Sequence, residues 1–275
     1  MSKFKFIQAF LVLFAPILTL AGAISPSLAA TLAGSRGIFE MENFSHRPLS
    51  VSTITDTTSF VTASNGQVVA VADANANFVS GIPQPFASNF SSSTVSGNGN
   101  SYFGQADSFA AVIGYNFFVG GGETFSFNFK AGLNLATSID NSQFESAVAG
   151  GSIVLELYDT TNANNWVYLD SFTLTGGLTT VGNDDFLNVG ASDSITLNSK
   201  TVVLNSALAG KQESTEAFTQ GSYARTFNNF TNLALVEAKQ NRAAVAVPEP
   251  SNIIGTILGF AIVGYKFKRS LTKNS

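Results

Sequence analysis

The chain has 275 residues, of which 45 % are hydrophobic and 12 % are charged, and it contains no cysteine. This length fits one large all-β domain or two small ones, and so apolar a chain can bury a core, which excludes general disorder. The missing cysteine excludes disulfides and thiol chemistry. Residues 30–250 hold 8 basic against 18 acidic residues, a net charge of −10 that argues against nucleic acid as a partner.

The first 29 residues have the pattern of a secretory signal peptide. Lys3 and Lys5 give a positive start, a long apolar run follows, and residues 27–29 (Ser-Leu-Ala) are suitable for cleavage. An uncleaved membrane anchor is the alternative, but Pro16 inside the apolar run and the small residues after it favour cleavage. We therefore expect residues 1–29 to be removed after Ala29 and the rest of the chain to be exported.

Residues 30–240 alternate between apolar and polar side chains, which is typical of β-strands. The clearest strand starts at Glu123, with Phe125, Phe127 and Phe129 on one face and polar residues on the other. The pattern predicts strands, in chain order, at 51–63, 67–79, 108–119, 123–136, 152–159, 165–176, 194–199, 201–205 and 226–238.

Segments rich in Gly, Ser, Asn and Asp separate these strands. We expect residues 88–101 and 175–185 to form loops, and Gly120–Gly122 to form a hairpin turn. Only residues 217–227 have a weak helical pattern, which Gly221 interrupts. The predicted fold is therefore all-β, an antiparallel β-sandwich or jelly roll whose two sheets pack their Phe-rich faces together, which would account for the 25 phenylalanines.

The sequence offers little for catalysis, and we expect a protein that is not an enzyme and needs no cofactor. A catalytic triad would have to use the only histidine, His46, without a GxSxG motif. A glycosidase would need two carboxylates, and calcium could bind near 183–185 through oxygen ligands. The more economical interpretation is that the acids keep the surface soluble and cap turns. The candidate carboxylates are Glu156, Asp159, Asp170, Asp184, Asp185 and Asp193.

Trp166 and Tyr168 share one face of a predicted strand, and Tyr158 lies on the strand before it. Aromatic rings that stack on sugars must be exposed on one surface. Trp166 and Tyr168 are therefore candidate glycan contacts, and packing in the core or at its rim is the alternative. An exposed, coplanar aromatic strip that includes Trp166 would favour the glycan-binding interpretation.

The end of the chain combines an apolar run with a basic cluster. We expect residues 241–246 to be an exposed linker and residues 252–267 to form a helix of about 24 Å, which is short for a bilayer core of about 30 Å. The basic cluster favours the cytoplasmic side, which places the body on the other side, in agreement with the signal peptide. The basic residues are Lys266, Lys268 and Arg269.

Residues 247–275 resemble the PEP-CTERM sorting domain of exported bacterial proteins. The resemblance rests on the motif Val247, Pro248, Glu249, Pro250, Ser251, on the short apolar run and basic cluster, and on the signal peptide at the other end of the chain. It implies a tail that inserts in the membrane and is recognised by an exosortase-type enzyme, with the product at the cell surface or in the extracellular matrix of exopolysaccharide-producing bacteria. A plain tail anchor is the alternative.

Together these patterns predict an exported cell-surface or matrix protein with a structural or adhesive body. The first alternative for the body is a carbohydrate-binding module for exopolysaccharide, and the second is a carboxylate-dependent glycosidase. The expected partners are the sorting enzyme, the membrane and extracellular polysaccharide.

Overall fold

The computed structural model describes residues 31–81, 84–182, 184–206 and 211–248. The predicted signal peptide and the predicted apolar helix at 252–267 lie outside these residues. Within the described residues all regular secondary structure is β-strand, and every strand pairing is antiparallel. The all-β prediction is therefore confirmed. The strands are β1 (Thr31–Glu42), β2 (Ser50–Val79), β3 (Phe86–Val119), β4 (Thr124–Ser138), β5 (Ser146–Asp159), β6 (Val167–Thr180), β7 (Phe186–Ala191), β8 (Ile195–Ser206), β9 (Gln212–Thr226) and β10 (Thr231–Val247).

The strands form one continuous sheet in the order β7-β6-β5-β10-β3-β1-β4-β9-β8, with β2 as an additional partner of β3. Strand β3 joins the two halves of the sheet. Its first part, from Ala87 to Gly97, pairs with β1, whereas its second part, from Tyr102 to Val119, pairs with β10. Strand β2 follows β3 along nearly its whole length.

The long β2–β3 hairpin bends where Gly66 lies opposite Gly99. Both glycines have positive φ, and a Cβ added to Gly99 would lie 2.4 Å from the Cα of Gly66. The two backbones therefore approach more closely than any side chain would permit. The pairing register also shifts between Ala63 and Gly66, which marks a β-bulge at this corner.

Because of this bend, the two halves of the sheet face each other. Asn89 in the first part of β3 donates to the carbonyl of Ala110 in the second part, at 3.0 Å. Ser35 of β1 likewise donates to the Asn241 side chain of β10, at 2.6 Å. The far ends, β7 and β8, also approach each other, so the sheet is curled and nearly closed. We expected two separate sheets, whereas one continuous sheet supplies both layers.

The space between the layers is filled mainly by aromatic side chains. Phe39 stacks on Phe129 with ring centroids 5.6 Å apart, and Phe129 also contacts Phe172 across the core at 4.9 Å. The predicted inner face of Phe125, Phe127 and Phe129 is confirmed, since all three are buried. Phe side chains bury large apolar areas, which stabilises the packing of the two layers.

Two segments that we expected to be loops are strands. Residues 88–101 lie in the first half of β3, and residues 175–180 form the end of β6. Serine and asparagine alone would favour turns, but here β1 and β2 pair with both edges of the segment. Its inward polar groups bond to one another across the layers, as Ser93 does with Ser108 at 3.0 Å. The helix that the weak pattern at 217–227 indicated is also wrong, because these residues lie mainly in strand β9.

The predicted exposed linker at 241–246 is wrong as well. These residues continue β10, which pairs with β3 on one side and β5 on the other. Ala243, Val245 and Val247 are buried in a second, smaller apolar cluster with Ala33, Val95 and Tyr102. The composition of residues 241–246, mostly small apolar residues with one arginine, is typical of a linker. The same small side chains allow this segment to pack as a strand between β3 and β5.

Candidate functional site: an aromatic strip on the outer face

Four large aromatic side chains lie together on the outer face of the half-sheet β3-β10-β5-β6. The strand register places Tyr115, Ala234, Tyr158 and Tyr168 in one row across these four strands. Alternation points this row away from the core, because Leu157, Leu233 and Leu235 are buried. Ala234 leaves room between the tyrosines of its neighbours, and Trp166 lies in the turn that precedes β6.

Trp166 connects the row. Its ring centroid lies 6.5 Å from that of Tyr115 and 6.0 Å from that of Tyr158, and Tyr158 lies 6.0 Å from Tyr168. Trp166 is 47 % exposed and Tyr168 is 52 % exposed. We call Tyr115, Tyr158, Trp166 and Tyr168 the aromatic strip.

The structure therefore brings the two predicted glycan contacts, Trp166 and Tyr168, to one exposed surface. The rings are tilted by 51° to 75° with respect to their neighbours, so the strip is not coplanar. Of the two features that would favour glycan binding, exposure of Trp166 is present and coplanarity is not. Edge-to-face contacts are favoured between aromatic rings, which explains the tilt. The strip offers several ring faces in different orientations.

Two hydrogen bonds hold the tyrosines of the strip in place. Tyr158 Oη donates to Glu156 Oε2 at 2.6 Å, and Tyr168 Oη donates to Ser171 Oγ at 2.6 Å. Burial together with the Glu156 carboxylate raises the pKa of Tyr158 above its ordinary value, so this phenol keeps its proton. The rings are thus oriented before any ligand arrives, which lowers the entropic cost of binding.

A shallow groove of about 260 Å³ opens on the same half-sheet, lined by Gly150, Gly151, Ser152, Gln240 and Arg242. Gly150 and Gly177 pair with each other there and leave the outer face without side chains, whereas Gly151 and Gly176 face Leu133 in the core. Arg242 is held at its border by Gln105, at 3.2 Å, and lies 3.8 Å from Asp107. Ser152 is six residues from Tyr158 on β5, so the groove lies about 20 Å from the strip along the strand.

The single histidine links two loops. His46 Nδ1 lies 2.8 Å from Ser45 Oγ, and its Nε2 lies 3.2 Å from Glu123 Oε2. This order resembles a Ser-His-acid relay, but Ser45 Oγ also accepts the Ser126 N–H at 2.8 Å and lies 3.2 Å from the Thr124 carbonyl. We interpret the cluster as a structural connection between the β1–β2 loop and β4.

Gly120–Gly122 form a tight turn, as we expected, with Gly122 at a φ of 85°. The turn does not close a hairpin, because the strands that it joins, β3 and β4, are separated by β1 in the sheet and do not pair with each other. The Glu123 carboxylate accepts the Gly120 N–H at 2.7 Å. This hydrogen bond, with that of His46, lowers the pKa of the Glu123 carboxyl.

The candidate carboxylates do not converge on one cleft. Glu156 lies on the outer face, whereas Asp170 is buried on the inner side, where Arg225 Nη1 donates to it at 2.8 Å. Asp159 and Asp185 accept backbone N–H groups of Thr161 and Thr179, as capping residues do. The remaining candidates, Asp184 and Asp193, are exposed.

Over the described ranges, no three His, Cys, Asp or Glu side chains are grouped closely enough to hold a metal ion. Asn183, which we considered with Asp184 and Asp185 as an alternative calcium site, lies outside these residues. The described part of the chain also contains no helix with the length and hydropathy needed to cross a membrane.

The structure describes only the start of the predicted sorting motif. Val247 is the last residue of β10, is buried, and pairs with Tyr102 of β3. Pro248 follows it, and Glu249, Pro250, Ser251 and the basic residues Lys266, Lys268 and Arg269 lie outside the described residues.

Comparison of the chain with protein-family models, with curated proteins and with solved structures gives no significant match.

Tyr115 is the member of the strip that sequence reasoning missed. Its own strand was predicted, but its neighbours depend on which strands pair and in which register. Tyr115 and Tyr158 are brought together because β10 inserts between β3 and β5, and β10 comes last in the chain. No local pattern carries that information.

Proposed function

We propose that this chain is an exported cell-surface or extracellular-matrix protein whose adhesive body binds polysaccharide through the aromatic strip. The observation that carries the proposal is the cluster of four aromatic side chains on one face of the sheet, of which Trp166 and Tyr168 are exposed and Tyr115 and Tyr158 are half-buried. Exposed apolar patches on soluble domains usually mark binding sites. Ring faces pack against the C–H faces of sugars, while Glu156 and Ser171 offer polar groups beside them.

The positions of the chain ends support this role. Tyr102 Oη donates to Thr31 Oγ1 at 2.7 Å, and Tyr102 is also the cross-strand partner of Val247. Thr31, the first residue of β1, and Val247, the last residue of β10, therefore lie at one corner of the body. Tyr115 lies 13 residues further along β3, about 40 Å from that corner. A body attached to a membrane through its tail would present the strip away from the membrane.

In this proposal the signal peptide ends at Ala29 and the PEP-CTERM-like tail, with its short membrane helix, directs sorting by an exosortase-type enzyme. Mass spectrometry of the protein recovered from native cells tests this part. We expect a body that begins near residue 30 and has lost the residues after the Pro-Glu-Pro motif. An intact tail in the inner membrane would instead identify a plain anchor.

Polysaccharide binding is tested with Trp166→Ala. We expect the wild-type protein to bind at least one class of glycan on an array and Trp166→Ala to lose at least about tenfold in affinity, since one stacked aromatic ring contributes about 1–3 kcal/mol. Phe144→Ala is the matched control, because Phe144 is 60 % exposed and lies before β5, at the end opposite Tyr158. Absence of binding to every glycan, or equal loss in both variants, would leave a purely structural role for the body.

A further inference from the structure

A glutamate, a lysine and an asparagine meet in the interior between the two layers. Glu237 and Lys239 lie two residues apart on the inner face of β10, and Asn89 projects from the first part of β3 opposite them. Their exposures are 0 %, 1 % and 4 %. Buried lysine and glutamate side chains are rare and costly, so their presence here calls for a physical explanation.

One carboxyl group contacts both other side chains. Glu237 Oε1 lies 3.2 Å from Lys239 Nζ, while Glu237 Oε2 accepts a hydrogen bond from Asn89 Nδ2. The lysine amine also lies 5.8 Å from the ring centroid of Phe39, which is the cross-strand neighbour of Asn89. The amine, the amide and the carboxyl group are therefore held together in an apolar environment.

The cluster is incompletely satisfied. Within the described part of the chain, Lys239 Nζ, Glu237 Oε1 and Asn89 Oδ1 are buried without a well-aligned hydrogen bond. Nearby Asn241 differs, because it donates to Ser91 and accepts from Ser35. Of these two buried asparagines, Asn89 is the one whose side-chain carbonyl oxygen accepts no hydrogen bond.

The environment also favours uncharged groups. Burial lowers the pKa of the Lys239 amine to about 8 and raises the pKa of the Glu237 carboxyl, each against the attraction of the other. Glu40 of β1 is the other carboxylate that acts on Lys239, and it is itself paired with Lys130 at 4.0 Å. An uncharged amine is a nucleophile, and a protonated carboxyl group is a proton donor.

We propose that Lys239 Nζ and Asn89 Cγ become joined by an intramolecular amide bond, with Glu237 as the catalytic residue. The neutral amine attacks Cγ, and the C–N bond to Nδ2 breaks. Glu237 Oε1 lies 3.2 Å from Nζ and Glu237 Oε2 contacts Nδ2, so one carboxyl group spans the attacking and the leaving nitrogen. Glu237 then carries a proton from Nζ to the leaving nitrogen. The products are the amide and one molecule of ammonia, so no oxidant, cofactor or other reactant is required.

The bond would connect β10 to the facing part of β3 and would close the curled sheet covalently. It would replace the buried, ionisable amine of Lys239 with a neutral amide. A cross-link between residues 89 and 239 restricts the unfolded chain in the way that a disulfide does, in a protein that has no cysteine.

The test is peptide mass spectrometry of the full-length protein, digested after denaturation. We expect the peptides that contain Asn89 and Lys239 to be recovered as one branched species, lighter than their sum by one ammonia, about 17 Da. Recovery of the two peptides as separate, unmodified species would overturn the proposal. This measurement does not depend on glycan binding, so it is independent of the proposed function.

Two variants test the assigned roles. Glu237→Gln keeps the size and polarity of the side chain but cannot shuttle a proton, so we expect separate peptides from the folded variant. Lys239→Arg removes the nucleophile and should also give separate peptides. A loss of ammonia that persists at Asn89 in Lys239→Arg would show a different reaction of the asparagine and would contradict the proposed bond.

Discussion

At the residue scale, the fold is stabilised by buried polar groups whose partners lie on distant strands. Tyr223 of β9 illustrates this, since its hydroxyl donates to Asp170 of β6 at 3.0 Å in the aromatic core. Arg225 holds the same carboxylate at 2.8 Å. These contacts connect β9 to β6, which are not hydrogen-bonded to each other as strands.

The Tyr223 hydroxyl predicts an effect of pH. Burial and the neighbouring Asp170 raise the pKa of Tyr223, so the folded protein favours the protonated phenol. The resulting stability is fully present below about pH 10, the pKa in the unfolded chain, and is lost as the pH rises above it.

We expect Tyr223→Phe to cost about 1.5–3 kcal/mol of unfolding free energy at pH 7, because a hydrogen bond to a charged group is removed. The difference between wild type and variant should shrink in urea titrations from pH 9 to 11. A constant difference over this range would show that Tyr223 does not resist ionisation in the folded state.

At the element scale, the decisive feature is the corner in the β2–β3 hairpin. Serine and asparagine repeated through residues 88–101 predict a loop, and only the pairing partners on both edges reveal a central strand. By contrast, the Phe-rich strand β4 was predicted from its own alternation, because its burial pattern follows its local sequence. Local pattern suffices where one face is apolar, and fails where small polar residues are buried.

The corner predicts a strong effect of a small substitution. In Gly99→Ala the new Cβ would lie 2.4 Å from Gly66 Cα at a φ of 121°. We expect a loss of about 1–3 kcal/mol in unfolding free energy from backbone strain. Gly34→Ala is the matched control, since no atom lies within 4 Å of its added Cβ. Equal stability of the two variants in thermal or urea unfolding would argue against a strained corner.

At the scale of the whole molecule, the last strand, β10, determines how the strands are arranged in the sheet. Strand β10 lies between β3 and β5, carries Glu237 and Lys239 inward, contributes the small residue of the aromatic row, and ends at Val247. The folded body therefore continues to Val247, the first residue of the predicted sorting motif, without the exposed linker that we expected from composition.

This position of β10 predicts that residues 241–246 tolerate little change. Val245→Asp would bury an unpaired carboxyl group, and we expect a loss of more than about 4 kcal/mol or failure to fold. Val69→Asp introduces the same charge on the exposed side of β2 and should be nearly neutral. Circular dichroism and urea unfolding would distinguish them, and a stable Val245→Asp variant would favour the linker interpretation.

The sequence by itself determined the all-β class, the apolar face of β4 and the turn at Gly120–Gly122, because these depend on alternation and turn chemistry within short segments. It left open whether Trp166 and Tyr168 are exposed or packed. Only the tertiary structure decided that one sheet supplies both layers, that Tyr115 joins the strip, and that Asn89 meets Glu237 and Lys239. Those outcomes depend on contacts between residues that are far apart in the chain: Asn89 and Glu237 are separated by 148 positions. Such pairings are fixed by how the long β2–β3 hairpin bends and where β10 inserts, and neither is encoded in a local period.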